Sequence, residues 1–166
     1  MSVSELLSPL PKNWSNINVN SVNVGDGGIS SQSQPYLQVR LGTPKVIANN
    51  VPVVVNGMTN VRSVGNLSYN STSGILTIPT KGVYNISYSA VWDDFGANTA
   101  INAFVSVSND VNIYAYSACA ALTDAANTGA LSLYLPDNSS ITLSVLQKSG
   151  ANANLASGYL IVYKQS

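Results

Sequence analysis

The chain has 166 residues, enough for one ordinary domain with a sizeable core. Hydrophobic residues make up a typical 45%, but charged residues make up only 8%, with seven acidic and seven basic side chains; an average soluble domain is about 25% charged. The basic residues are scattered, which argues against the clustered phosphate contacts of a nucleic-acid-binding protein. A surface with so little charge repels other copies weakly and favours a place in a packed assembly.

Residues 1–35 are polar and irregular, and they predict an extended arm. The stretch NWSNINVNSVNV (13–24) contains Trp14 and alternates Asn or Ser with apolar residues, namely Ile17, Val19, Val22 and Val24. Such a segment is too polar to fold alone, so it is either an arm that orders against a partner or a floppy tail. The glycine-rich VGDGGIS (24–30) indicates a hinge between the arm and the body.

The N-terminal sequence also bears on location. It has neither a basic segment nor a long apolar stretch, so we expect no signal peptide and synthesis in a cytoplasm. No apolar run in the chain reaches the roughly 18 residues needed to span a membrane, so we expect no membrane insertion.

From Tyr36 onward, short alternating segments recur between turn signals, and helical periodicity is absent. We predict strands at 36–41, 51–55, 60–69, 74–78, 82–92, 100–108, 111–118, 128–135, 140–147 and 156–164. Dipeptides with turn chemistry, such as Asn56-Gly57 and Ser73-Gly74, separate them. The pattern predicts an all-β sandwich or barrel of about 8–10 antiparallel strands over residues 36–166.

Large side chains recur on strand faces that are otherwise polar. They are Phe104, Tyr114, Tyr116, Tyr134, Tyr159 and Tyr163. Two interpretations stay open: ordinary cross-strand pairs, or a surface between subunits, where Tyr and Phe are enriched. We take as candidate assembly residues five of these and the apolar residues of the arm: Trp14, Ile17, Val19, Val22, Val24, Phe104, Tyr114, Tyr116, Tyr134 and Tyr159.

Patterns for catalysis or tight metal binding are missing from the sequence. The chain has no histidine, and its single cysteine, Cys119, lies among small residues, which predicts a buried thiol and no internal disulfide. Asp93 and Asp94, in WDDFG after the 82–92 strand, could bind Ca²⁺ through oxygen, although a solvated turn is the simpler interpretation. Neighbours on a strand point to opposite faces, so this pair gives little support to a carbohydrate-active enzyme. We expect no enzymatic activity and no cofactor.

The segment YNSTSGILTIPTKGVYNISYSAVW (69–92) resembles the central part of the tumour necrosis factor and complement globular-head superfamily. The matching positions are Tyr69, Gly74, Leu76, Pro79, Gly82 and Tyr84. Similar matches follow at YLQVRLGTPKVIANNVPVVVN (36–56), GALSLYLPDNSSITLSV (129–145) and ASGYLIVY (156–163). Leu76 and Ala156 replace aromatic residues of the family, so the resemblance implies a trimer core that is packed differently.

The resemblance implies a single jelly-roll β-sandwich at 36–166, preceded by the docking arm at 1–35. Phage and large-virus capsids use similar jelly rolls in vertex and spike proteins, and the charge-poor composition suits them. We therefore expect a structural protein of the virion, a capsid or vertex (penton-type) protein. It would form a trimer or pentamer about a symmetry axis and dock to other capsid proteins through its arm. The alternative is a trimeric receptor- or glycan-binding head of a spike or fibre.

Overall fold

The structure is a computed structural model that describes residues 34–93, 99–107, 113–121 and 125–165, without the side chains of Thr99 and of 113–121. Within these ranges the chain forms twelve strands and no helix, as the sequence predicted for an all-β protein. The strands are β1 (Tyr36–Leu41), β2 (Lys45–Ile47), β3 (Val53–Val54), β4 (Thr59–Val64), β5 (Ser68–Asn70), β6 (Ile75–Ile78), β7 (Gly82–Asp93), β8 (Thr99–Val107), β9 (Ile113–Ala121), β10 (Ala125–Leu135), β11 (Ser139–Lys148) and β12 (Ala153–Lys164).

The strands form two antiparallel sheets that pack as a sandwich. Sheet A has the order β10-β7-β12-β1-β4, with β2 also paired to β12. Sheet B has the order β5-β6-β11-β8-β9, with β3 also paired to β11. The chain crosses from one sheet to the other after β2, β3, β4, β6, β7, β9, β10 and β11. This architecture confirms the predicted jelly roll.

The inward face of β7 supplies the centre of the core. Its large side chains Tyr84, Tyr88 and Trp92 are at most 1% exposed. Each also donates a hydrogen bond through its polar group: Tyr84 Oη donates to Thr80 O (2.7 Å), Tyr88 Oη to Ala103 O (3.3 Å) and Trp92 Nε1 to Asn127 Oδ1 (3.1 Å). The three side chains therefore bury a large apolar area while their polar groups stay hydrogen-bonded.

Gln147 ties the turn between β11 and β12 to the end of β2. The side chain is fully buried, and its Nε2 donates to Ile47 O (3.0 Å) and to Ala151 O (2.7 Å). Its Oε1 accepts from the backbone N (2.8 Å) and the hydroxyl (2.7 Å) of Ser149. Both amide protons and both lone pairs of the carbonyl are thus used, so this buried polar residue is fully satisfied.

The structure corrects three details of the predicted strands, besides starting β10 at Ala125 and β12 at Ala153 rather than at 128 and 156. The segment 60–69 is two strands, because Gly65 turns the chain with a φ of +77°; a Cβ there would lie 3.1 Å from Pro35 Cα. The three-residue strand β2 was not predicted, since it is too short to show alternation. Asp93 is the last residue of β7 rather than part of the loop after it. The first two corrections bring the predicted strands to the observed twelve.

A methyl group at Gly129 is expected to destabilise the sandwich. Gly129 lies opposite Tyr88, and a Cβ at this position would come 2.5 Å from the Tyr88 ring. Because Tyr88 is held in the core, Gly129→Ala should lower the free energy of unfolding by about 1–3 kcal/mol, measured by denaturant unfolding. Gly42→Ala is the control, since a Cβ there meets nothing within 4 Å. Equal stability of the two variants would contradict the packing described.

Removing the Gln147 amide is expected to cost more than removing an exposed one. Gln147→Leu leaves the buried Ile47 carbonyl and its neighbours without their side-chain partner, so the free energy of unfolding should fall by about 2–4 kcal/mol. Gln165→Leu, at an exposed position, should change it by less than about 0.5 kcal/mol. Thermal or denaturant unfolding measures both, and a neutral Gln147→Leu would refute the role given to this amide.

Candidate assembly surface

The outward side chains of sheet A form a face with very little charge, which we call outer face A. They are Val83, Asn85, Ser87, Ser89 and Val91 of β7; Ala126, Thr128, Ala130, Ser132 and Tyr134 of β10; Tyr159, Ile161 and Tyr163 of β12; Tyr36, Gln38 and Arg40 of β1; and Thr59, Arg62 and Val64 of β4. The charged members of this set are Arg40 and Arg62, and none is acidic. The face combines tyrosines with small hydroxyl and aliphatic side chains, a composition suited to contact with another protein surface.

Several large side chains on outer face A are exposed in the single chain. Tyr134 is 62% exposed and lies opposite Val83, which is 38% exposed. Tyr159 is half-buried and lies between Ser89 and Arg40 in the register of the sheet. Of the candidate assembly residues, Tyr134 and Tyr159 therefore share one face.

Phe104 lies on the other sheet, away from these tyrosines. It is half-buried on the outward side of β8, opposite Ser144 of β11 and the backbone of Tyr116 in β9. The side chains of Tyr114, Tyr116 and Cys119 are outside the described part of the structure. The candidate residues of the body thus fall on two opposite faces, and the contribution of Tyr114 and Tyr116 stays a prediction.

The candidate residues of the arm, Trp14, Ile17, Val19, Val22 and Val24, also lie outside the described residues. Docking through residues 1–35 therefore stays a prediction. Asp94 likewise falls outside, whereas Asp93 is exposed at the end of β7.

A corner of sheet A that sequence reasoning missed brings three more side chains together. Tyr36 and Tyr163 are paired across β1 and β12, and their rings stack with centroids 6.5 Å apart at an interplanar angle of 24°. Arg62 of β4 places its guanidinium carbon 5.4 Å from the centre of the Tyr36 ring, a cation–π contact. Only the register of three strands that are distant in sequence makes this cluster, so no local motif could have indicated it.

Two hollows open on outer face A, and Tyr163 lines both. The larger, about 420 Å³, is lined by Gln34, Tyr36, Arg62, Val64 and Tyr163. The smaller, about 270 Å³, is lined by Asn85, Ile86, Ser87, Ala130, Leu131 and Tyr163. Outer face A is therefore grooved rather than flat.

The ionisable groups of the described ranges are scattered. No group of three or more His, Cys, Asp or Glu side chains is close enough there to hold a metal ion. Burial raises the pKa of the Tyr69 hydroxyl, which donates to Val55 O at 3.2 Å and so serves packing. Among the described residues, no helix is long and apolar enough to cross a membrane.

Comparison by sequence finds no matching family model and no matching curated protein. Comparison by structure finds clear likenesses. The chain is similar to murine APRIL at pH 5.0, with a TM-score of 0.62 and 15% identity over 80% of this chain and 99% of the other. It is similar to the globular domain of zebrafish complement 1qA protein, with a TM-score of 0.62 and 10% identity over 80% and 98% of the two chains.

A third similar structure is the PRD1 vertex protein P5, with a TM-score of 0.59 and 21% identity over 80% of this chain and 97% of the other. Identities this low establish the fold alone. The predicted resemblance to the tumour necrosis factor and complement globular-head jelly roll is confirmed at that level: the body of this protein has the jelly-roll fold shared by these heads and by a viral vertex protein.

Proposed function

We propose that this protein is a non-enzymatic structural protein of a virus particle, a small capsid or vertex (penton-type) protein that self-associates about a symmetry axis. The observation that carries the proposal is outer face A, which has little charge and on which the Tyr134 side chain is 62% exposed to solvent. Tyrosine is enriched where proteins meet and charge is depleted there. The likeness in fold to a viral vertex protein supports the viral setting.

The dimensions of outer face A fit an interface between subunits. Five strands about 4.8 Å apart, rising about 3.3 Å per residue, give a face of roughly 20 by 35 Å. That is roughly 700 Å², close to the about 800 Å² that each partner contributes to an interface of standard size. Covering Tyr134 and Val83 with a second copy would remove exposed apolar surface from water. It would bury no unpaired carboxylate of this face, since the face has no acidic residue.

The arm supplies the second half of the proposal. Residues 1–35 would dock to neighbouring shell proteins, with Trp14 and the apolar residues of 13–24 as anchors. A polar arm of this kind gains order only on a partner, so its binding would couple the symmetric body to the surrounding shell of the virion.

The alternative is a trimeric receptor- or glycan-binding head of a spike or fibre. The observation that favours it is the larger hollow beside Tyr36 and Tyr163. The two functions differ in what residues 1–35 do, because a head would assemble through its body while a vertex protein also needs its arm to reach other shell proteins.

A charge placed on outer face A is expected to dissociate the assembly. The full chain should have the mass of a trimer or pentamer by light scattering, and Tyr134→Asp should shift it towards the monomer, since the interface would otherwise bury an unpaired carboxylate. Val51→Asp, at a site 50% exposed outside this face, is the control and should leave the mass unchanged.

Two results would contradict the proposal: a monomer at every concentration, or a Tyr134→Asp variant with the mass of the unmodified chain. A chain that begins at Tyr36 separates the two functions. If it still assembles but no longer binds shell proteins, the vertex function is supported; if residues 1–35 change neither property, the head function is favoured.

A further inference from the structure

The larger hollow lies at the margin of sheet A where β4 is the edge strand. The register places Tyr36 between Tyr163 of β12 and Val64 of β4, and Gln38 next to Arg62. Gln34, just before β1, completes the lining. Its volume of about 420 Å³ falls in the range of about 300–1,000 Å³ that is usual for small-molecule sites.

Two tyrosines line the hollow. The rings of Tyr36 and Tyr163 stack at 24° from parallel, and Tyr163 is 40% exposed. Tyr36 Oη donates to Gln38 Oε1 at 3.0 Å, which fixes the direction of its ring. The face of an aromatic ring is electron-rich, so Tyr163 can attract the C–H groups on one side of a sugar ring, and the tyrosine hydroxyls and the Gln34 amide can meet sugar hydroxyls.

Arg62 supplies the charge of the hollow. Its guanidinium lies over the Tyr36 ring, at 5.4 Å from the ring centre. None of the described residues that line the hollow is acidic, and Asp137, one of the two described carboxylates, accepts from the backbone N of Lys81. The planar guanidinium suits the two-bond contact that arginine makes with a carboxylate.

We infer that this hollow binds an acidic saccharide, with the sugar ring on Tyr163 and the carboxylate on Arg62. A plain anion would use Arg62 but not the ring, and a neutral sugar would use the ring but not Arg62. The combination of aromatic ring, amide and guanidinium selects a ligand that carries both groups.

The hollow shares outer face A with the self-association proposed above, so a second copy that covers the whole face would also cover the hollow. Tyr134 lies on β10, at the opposite margin of sheet A from β4. Each chain carries a complete hollow, so the dissociated chain should bind the saccharide whether or not the proposed assembly forms, and loss of assembly and loss of saccharide binding are separate results.

The test is calorimetric or NMR titration of the full-length protein, below the concentration at which it assembles, with D-glucuronate, its methyl ester, D-glucose and acetate. We expect binding of glucuronate, at least about tenfold weaker binding of the ester and of glucose, and no competition by acetate at equal concentration. Arg62→Gln should weaken glucuronate binding by about tenfold or more, because it removes the charge-assisted contact. Arg62 is exposed, so this substitution should leave folding unaffected.

The matched control is Arg40→Gln, which removes the same charge from outer face A at a residue that does not line the hollow. It should bind glucuronate as the unmodified protein does. The inference is overturned if glucuronate does not bind, if Arg62→Gln binds it normally, if Arg40→Gln weakens it equally, or if acetate competes as well as glucuronate does.

Discussion

The packing of Tyr84, Tyr88 and Trp92 between the two sheets is the constraint on which the rest of the structure depends. These three side chains are the largest in the core, and they share one side of a single strand. Because the side-chain period of a strand is two, a slip of one residue would turn all of them outward. The register of β7 against β10 and β12 is therefore fixed by burial, and that register decides what outer face A presents.

Because Tyr84, Tyr88 and Trp92 face the core, the alternate residues of β7 face out. Val83, Asn85 and Ser87 therefore lie beside Tyr134 and Tyr163 of the neighbouring strands. A sheet face of a monomer would usually carry charged residues at such positions. Here the solvating groups are hydroxyls and amides, which lose less on being covered than carboxylates or ammonium groups do. The side-chain alternation that fills the core thus also determines the face that the proposed self-association would use.

Much of the fold could be predicted from the sequence, and the site only in part. Alternation located β1 and β7 almost to the residue, since each has one buried and one open face. Gly65 was missed because the strand-like residues on either side of it masked its turn, and β2 because three residues carry no period. The cluster of Tyr36, Arg62 and Tyr163 depends on long-range pairing of strands, which no local pattern encodes.

Chemical labelling of tyrosines in the full-length protein, read out by mass spectrometry, tests the central claim most directly. Tyr134 is 62% exposed in the single chain and Tyr84 is fully buried, so Tyr84 reports whether the fold is intact. If copies meet through outer face A, labelling of Tyr134 should fall strongly at concentrations where the protein assembles, while Tyr84 stays unlabelled throughout. Equal labelling of Tyr134 in the assembled and dissociated protein would contradict the account.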